Sequence, residues 1–492
     1  MRLAIPVGLG AIAALGHEGW AGGLLALLVG CVCAFLITPE RRRTAFAFGW
    51  LFGLGYFGVM LRWIVEPFLV DVARHGWMAP FVILFMAGGL ALFWAAAFWV
   101  ARHIAGARPS VMVWLPVTLA TAELARGHVF TGFPWGLPSY VVIGGLGDIW
   151  FALIGPYGAT FAVLAIAGAL AYFLHRRAIF IVPLLGTVVL ATFALSLSQA
   201  TTMPQTGQTV RLIQPNAPQH LKWDPDWMGV FFNRALDQTR AGDAPDVVIW
   251  PETSIPTLLE YADPLIADMA TAARGAPIVA GIQRRDVNDY YNAAILIDGP
   301  STVSAISDKA HLVPFGEYIP LAHLLEPLGL GTLVDQVAGF SRGTGDGMMQ
   351  IDGLGLARVL ICYEGIFPEE MQRGSQRADV LLIITNDAWF GKGAGPRQHL
   401  VQAQARAIEQ GLPVIRAANT GISAVIDARG RIIDALDLNE AGYLDVLVPG
   451  PLPPTVYART GDWPLAVLLM TVIGLGVART RRKSVDDVQP HS

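Results

Sequence analysis

Three side chains in the middle of the chain have the types that acyl transfer requires. Glu252 follows an apolar run in WPETSIP, Lys309 lies in SDKAHLVPFGEYIP, and Cys362 ends an apolar run in VLICYEG. A thiolate attacks acyl carbons, and a nearby cation lowers the pKa of a thiol. A carboxylate can take the thiol proton and return it to a leaving group, while an ammonium stabilises the tetrahedral oxyanion. The three residues therefore predict covalent acyl transfer without a histidine.

Each of these residues also has an ordinary structural explanation. A single cysteine at a strand end is more often a packed core thiol than a nucleophile. Glu252 can equally be a helix cap or a loop charge, and Lys309 can be a surface charge. What favours catalysis is the occurrence of all three motifs, in this order, within one predicted domain.

The elements that must position these residues form a predicted α/β domain at 205–450. Short apolar runs rich in β-branched residues recur there between Pro, Gly, Asn and Asp, which is typical of strands. A helix is predicted at 398–411, and the alternation of strands and helices indicates layered packing. The predicted strands are 210–214, 246–250, 277–282, 292–298, 358–363, 380–385, 414–418 and 423–427.

The rest of the chain predicts a polytopic membrane protein. Of the 492 residues 54% are hydrophobic and 15% charged, whereas soluble domains have about 25% charged residues. A spanning helix needs about 20 mostly apolar residues. The predicted domains are a membrane domain at 1–200, the catalytic domain, a C-terminal span at 460–480 and a cytoplasmic tail at 481–492. The eight predicted spans are 3–15, which can also be a signal peptide, 21–37, 44–62, 78–101, 111–125, 149–174, 179–198 and 463–479.

Basic residues predict how these spans are oriented. Lys and Arg concentrate in cytoplasmic loops, and here they follow every second predicted span. Both termini are then cytoplasmic, and the domain at 205–450 faces away from the cytoplasm. The residues concerned are Arg41, Arg42, Arg43, Arg102, Arg108, Arg176, Arg177, Arg479, Arg481, Arg482 and Lys483.

The three motifs resemble those of the nitrilase superfamily. WPET at 250–253, KAHLVPFGE at 309–317 and ICYE at 361–364 are similar to the Glu-Lys-Cys motifs of that superfamily, whose fold is an α-β-β-α sandwich. The predicted spans around them make the chain look like the apolipoprotein N-acyltransferases. NDAWFG at 386–391, RQHLVQAQARAIE at 397–409 and LKWDP at 221–225 also resemble that family. The resemblance covers nearly the whole chain.

The resemblance implies a role for each residue that matches a family motif. Cys362 resembles the nucleophile, Glu252 the general base and Lys309 the oxyanion-stabilising residue. Glu317 resembles a second carboxylate near Lys309, and Tyr363 and Glu364 resemble residues that flank the nucleophile. Trp223 matches a tryptophan on a loop above the active site.

The implied reaction is acyl transfer between two lipids. A phospholipid acylates the thiol, and the α-amino group of a diacylglyceryl-cysteine on an apolipoprotein takes the acyl chain. The resemblance implies a monomer in a bacterial inner membrane, with the catalytic domain in the periplasm. Two other functions stay open, a membrane-tethered amidase that cleaves C–N bonds and a non-enzymatic transporter or scaffold.

Several partners and sites are not expected. The net charge of −4 gives no sign of nucleic-acid binding. The spacing of His, Asp and Glu predicts no metal site, and no cofactor is expected. The apolar segment 319–340 is either a membrane-touching arm that admits lipid or an ordinary helix and loop of the domain.

Overall fold

A computed structural model describes residues 3–19, 22–106, 108–177, 186–187, 190–195, 203–320 and 339–486. The predicted span at 179–198 and the segment 319–340 therefore lie mostly outside the described residues. By their contacts the residues form two compact units. The first comprises residues 1–201, 393–401 and 454–492, and the second comprises residues 202–392 and 402–453.

The helices of the described residues are numbered in chain order. They are α1 (Ala4–Ala14), α2 (Gly23–Leu36), α3 (Arg42–Met60), α4 (Glu66–Leu69), α5 (Val72–His75), α6 (Ala79–Ile104), α7 (Arg108–His128), α8 (Asp148–Arg176), α9 (Met228–Arg240), α10 (Asp263–Ala273), α11 (Ala394–Gln410), α12 (Val456–Thr460) and α13 (Trp463–Asp486).

The first unit is helical. Among the described residues, three helical stretches are long and apolar enough to cross a bilayer: Val72–Ile104, Asp148–Arg176 and Trp463–Arg481. Arg42–Met60 and Arg62–Leu69, bent by 64°, can be counted together as a fourth. Eight spans are therefore not confirmed. Helices α1 and α2 coincide with predicted spans but have only 11 and 14 residues.

A buried ion pair interrupts the apolar sequence of α7. The Arg126 guanidinium lies 2.5 Å from the Glu123 carboxylate, and the indole N–H of Trp94 donates to the same carboxylate at 2.6 Å. An isolated charge at this depth would be costly, so both charges are paired.

The second unit is built on two six-stranded sheets. The first sheet has the order β12-β1-β2-β3-β4-β5 and the second β11-β10-β9-β8-β7-β6. The strands are β1 (Gln205–Gln214), β2 (Val247–Ile249), β3 (Ile278–Asp286), β4 (Asp289–Asp298), β5 (Thr302–Asp308), β6 (Met348–Ile351), β7 (Gly355–Ile361), β8 (Val380–Thr385), β9 (Val414–Ala418), β10 (Ser423–Ile426), β11 (Ile432–Leu436) and β12 (Gly442–Pro449).

The two sheets pack face to face around one apolar core. Leu212 and Ile249 of the first sheet belong to the same buried cluster as Leu382 and Ile415 of the second. Helices α9 and α10 cover the other face of the first sheet, where Phe232 and other apolar side chains form a second buried cluster. The predicted nitrilase-like layered domain is thus confirmed, with β1 to β4 and β7 to β10 near their predicted positions.

Candidate active site

Segments that follow three strands bring the predicted catalytic residues together. Strands β1, β2 and β3 are parallel neighbours, and so are β7, β8 and β9. Glu252 comes after β2, Lys309 follows β5, and Cys362 follows β7. All three side chains are buried, at 6%, 1% and 6% exposure. Burial removes competing water and strengthens the interactions between their charges.

The Glu252 carboxylate is fixed by donors on both oxygens. Its Oε1 accepts from the Asn292 side-chain amide at 2.8 Å, and its Oε2 accepts from the main-chain N–H of Asn386 at 2.9 Å. Gly281 on β3 permits this placement, because a Cβ there would come within 2.6 Å of the Glu252 Cα. The carboxylate is therefore held in one orientation before any substrate binds.

Lys309 lies between two carboxylates. Its Nζ is 2.8 Å from Glu317 Oε1 and 3.7 Å from Glu252 Oε1. Burial alone would lower the pKa of this ammonium, but Glu317 and Glu252 outweigh it and hold the pKa above the ordinary lysine value. Lys309 is therefore a permanent positive charge near neutral pH.

Glu317 is positioned by the turn that carries it. Its main-chain N–H donates to the Val313 carbonyl at 2.9 Å, and its Oε2 accepts from the Val313 N–H at 2.7 Å. The turn thus closes on itself and points the other carboxylate oxygen at Lys309.

Cys362 does not end a strand, as the sequence predicted, but begins the short 3₁₀ turn Cys362–Ile366. Its φ of 52° lies in the left-handed region, which is uncommon for residues other than glycine. Such strained backbone clusters at functional sites. The turn takes the thiol out of the strand direction and places it where the charges of Glu252 and Lys309 influence it.

The pKa of the Cys362 thiol is set mainly by burial. Burial above all, together with the Glu252 carboxylate, raises the pKa of the thiol to about 12, although Lys309 and a hydrogen bond with Thr385 lower it. Lys309 lowers the pKa of the thiol, as predicted for a nearby cation, but desolvation outweighs its effect. The resting group is a neutral thiol, so a base must remove its proton during attack.

Glu364 and Tyr363 support the nucleophile's turn. The Glu364 carboxylate accepts main-chain N–H groups of Ala310 at 2.7 Å, His311 at 2.9 Å and Ile361 at 2.8 Å. It therefore ties the turn after β7 to the segment after Lys309. The Tyr363 ring is buried and meets the His311 ring edge-on at 5.7 Å between centroids.

Trp223 lies at the edge of a pocket beside Glu252. Its side chain is 43% exposed, and the pocket is lined by Trp223, Glu252 and both polar and apolar neighbours. The position fits the predicted loop next to the active site. Among the described residues no group of His, Cys, Asp and Glu could hold a metal ion.

Sequence reasoning missed the polar residues that hold this site. The Glu252 carboxylate accepts from Asn292 and Asn386, and its main-chain oxygen accepts from the Lys222 ammonium at 3.1 Å. Thr385 and Asp387 lie behind Cys362, and their side chains are 3.0 Å apart. Lys222 and the segment 386–391 lie in motifs that signalled the resemblance, so these motifs were the available clue.

Two family profiles match complementary parts of the chain. The profile of carbon-nitrogen hydrolases matches residues 209–450, and that of the apolipoprotein N-acyltransferase N-terminal domain matches residues 9–169. The apolipoprotein N-acyltransferase of Rhodopseudomonas palustris is 34% identical over 94% of this chain and 96% of its own. That of Caulobacter vibrioides is 36% identical over 94% of this chain and 95% of its own.

The chain also has similarity to solved structures. An amidase from Nesterenkonia sp. is 19% identical, covers 55% of this chain and 98% of its own, and gives a TM-score of 0.36.

Proposed function

The chain belongs to the apolipoprotein N-acyltransferase family, and on this premise we propose that Cys362 carries a fatty acyl chain from a phospholipid to the amino terminus of an apolipoprotein. The observation that carries this proposal is the buried Lys309 ammonium between Glu317 and Glu252, close to the thiol. This arrangement places a base, a fixed cation and a nucleophile in one buried site.

In the first half-reaction the phospholipid acylates Cys362. Glu252 takes the thiol proton while sulfur attacks the ester carbon, and the S–C bond forms. Lys309 stabilises the negative charge that develops on the ester oxygen. The C–O ester bond then breaks, Glu252 returns its proton to the glycerol oxygen, and lysophospholipid leaves. A thioester on Cys362 remains.

In the second half-reaction the α-amino group of the diacylglyceryl-cysteine attacks the thioester. The N–C bond forms, Glu252 takes a proton from the nitrogen, and the C–S bond breaks. Glu252 then reprotonates the Cys362 sulfur. Two bulky lipids can therefore use one site in turn, which is ping-pong kinetics.

The other site residues act through these three. Glu317 keeps Lys309 charged and directed, Glu364 and Tyr363 fix the nucleophile's turn, and Trp223 lies where substrate approaches. The location proposed with this function is an inner membrane with eight spans, both termini in the cytoplasm and the catalytic unit in the periplasm. The predicted domain boundaries and the monomeric state are part of the same proposal.

One assay separates this function from hydrolysis. Purified protein in detergent receives phosphatidylethanolamine labelled in its acyl chains together with a synthetic diacylated lipopeptide. Transfer predicts label on the peptide amine. Release of labelled free fatty acid alone would instead support the amidase-like alternative, in which water takes the acyl group. Absence of any turnover would support a non-enzymatic protein.

A further inference from the structure

Lys222 is a second buried lysine beside the catalytic carboxylate. Its side chain is 7% exposed, and the turn that carries it is closed by its main-chain N–H, which donates to the Pro218 carbonyl at 2.9 Å. The ammonium donates to the main-chain oxygen of Glu252 at 3.1 Å and lies 5.9 Å from the centre of the Trp223 ring. The acyl-transfer chemistry described above uses Lys309 and leaves Lys222 without a role.

The Lys222 ammonium has hydrogen-bonding capacity to spare. An ammonium has three N–H donors, and within the described residues one of them reaches an acceptor, the Glu252 carbonyl. Burial lowers the pKa of Lys222 to about 8, although the charges of Glu252 and Cys362 raise it. Burying a charge without enough partners is costly. An anion would neutralise the buried charge and accept from the remaining N–H donors.

Lys222 lines a pocket whose other residues are mostly apolar. The polar residues of its lining are Lys222, Glu252, Thr253, Ser254 and Asn419, and larger apolar residues complete it. These are Trp223, Met228, Phe231, Phe232 and three prolines, Pro215, Pro251 and Pro256. A ligand for this pocket therefore combines an anionic group with aliphatic surface.

Of the two substrates, the donor has this combination. A phospholipid carries a phosphate diester next to its glycerol and acyl chains. The diacylglyceryl-cysteine acceptor presents ester and thioether groups and an amine but no anion at its lipid end. We propose that Lys222 and the adjacent pocket bind the phosphate of the phospholipid donor while its acyl ester lies at Cys362. This inference rests on the proposed function.

Such a subsite would act in the first half-reaction alone. Binding of the phosphate by Lys222 would place the ester carbon near the thiol. The phospholipid would then acylate Cys362 faster than esters without a headgroup do. Once the acyl chain is on Cys362, the phosphate leaves with the lysophospholipid. The pocket beside Glu252 is then vacant when the acceptor amine arrives.

The test compares two acyl donors in the full-length protein in detergent. One is phosphatidylethanolamine and the other is 4-nitrophenyl octanoate, an activated ester without phosphate. Acylation of Cys362 is followed by mass spectrometry. Lys222→Met is expected to slow acylation by the phospholipid roughly ten- to a hundredfold, the value of one charged hydrogen bond. Acylation by the nitrophenyl ester should stay within about threefold of the wild-type rate, a difference of less than 1.4 kcal/mol.

Two further variants make the comparison specific. Lys222→Arg keeps the charge and donors and should recover most of the phospholipid reaction. Lys392→Met makes the same chemical change at an exposed position and should alter neither reaction. If Lys222→Met does not fold, Lys222→Gln keeps a polar side chain of similar length and serves in its place.

Parallel loss with both donors would overturn the inference, because a merely structural lysine disturbs both reactions. Unchanged acylation by the phospholipid would overturn it as well. Failure of the proposed function looks different, since wild-type Cys362 would then not be acylated by the phospholipid.

Discussion

Replacing Glu252 by glutamine tests the base on which both half-reactions depend. The carboxylate accepts at both oxygens, from the Asn292 amide at Oε1 and from the Asn386 N–H at Oε2, and the Lys309 ammonium lies 3.7 Å from Oε1. A glutamine keeps the shape but must turn its NH₂ group toward one of these donors. The variant therefore loses the base and also gains one donor-to-donor conflict.

The two consequences have different magnitudes. Loss of a positioned general base slows a reaction by about 10²- to 10⁴-fold. Because burial keeps Cys362 a neutral thiol, with its pKa raised to about 12, no thiolate stands ready to compensate. Loss of one hydrogen bond to a charged group costs about 1.5–3 kcal/mol of stability. For a unit of this size that lowers Tm by roughly 3–12 °C.

The assay measures the single-turnover rate of Cys362 acylation by phosphatidylethanolamine, together with thermal unfolding in detergent. Glu260→Gln is the matched control, because Glu260 is exposed and accepts from the Arg285 N–H far from the thiol's partners. The control should acylate at the wild-type rate. A Glu252→Gln rate within about threefold of the wild type, where 10²-fold or more is expected, would refute the assignment of Glu252 as the base.

Three further predictions follow from the same geometry. Glu317→Gln removes the 2.8 Å partner of Lys309 and leaves the 3.7 Å contact with Glu252, so acylation should fall roughly ten- to a hundredfold with any donor; equal rates would contradict this role. Glu364→Gln turns one of three N–H acceptor contacts into a repulsion and should lower stability by about 1.5–3 kcal/mol in thermal unfolding. Alkylation of Cys362 by iodoacetamide needs the thiolate, and the raised pKa means that its rate should still be rising at pH 9.5; a plateau near pH 7 would show a low-pKa thiolate instead.

The sequence predicted the buried strands better than the edge strands. β9 was predicted without error at 414–418, because its five residues are all buried and apolar or small apart from Arg416. The four edge strands β5, β6, β11 and β12 were missed. Of these, β5, β11 and β12 alternate exposed and partly buried residues or are mostly exposed, so polar side chains break the apolar pattern. Pairing with a neighbouring strand, rather than local composition, makes them strands.

The candidate site was predicted by residue type but not by protonation. Motifs placed Glu252, Lys309 and Cys362 in one domain, and the fold brings together the segments that follow β2, β5 and β7. The pKa of the thiol depends on how completely it is desolvated, and that is a property of packing that no local motif contains. Asn292 was missed for a related reason, since an asparagine inside a strand gives no sign that it will face a carboxylate from another strand.

The membrane part shows the limits of apolar periodicity. Hydrophobic runs predicted helices at the right places, such as α6 and α8, but not whether each crosses the bilayer. Helix α7 contains Glu123 and Arg126, which pair with each other inside the unit. Paired charges can be buried, although a hydropathy average counts each of them as fully polar.

The most direct test of the central claim is to locate the acyl chain. The protein is incubated with phosphatidylethanolamine, digested, and its three cysteine peptides are examined by mass spectrometry. The account predicts one acyl group on Cys362 that hydroxylamine removes, none on Cys31 or Cys33, and its disappearance when the diacylated lipopeptide is added. A lipopeptide acylated at the wild-type rate by the Cys362→Ala variant would contradict it.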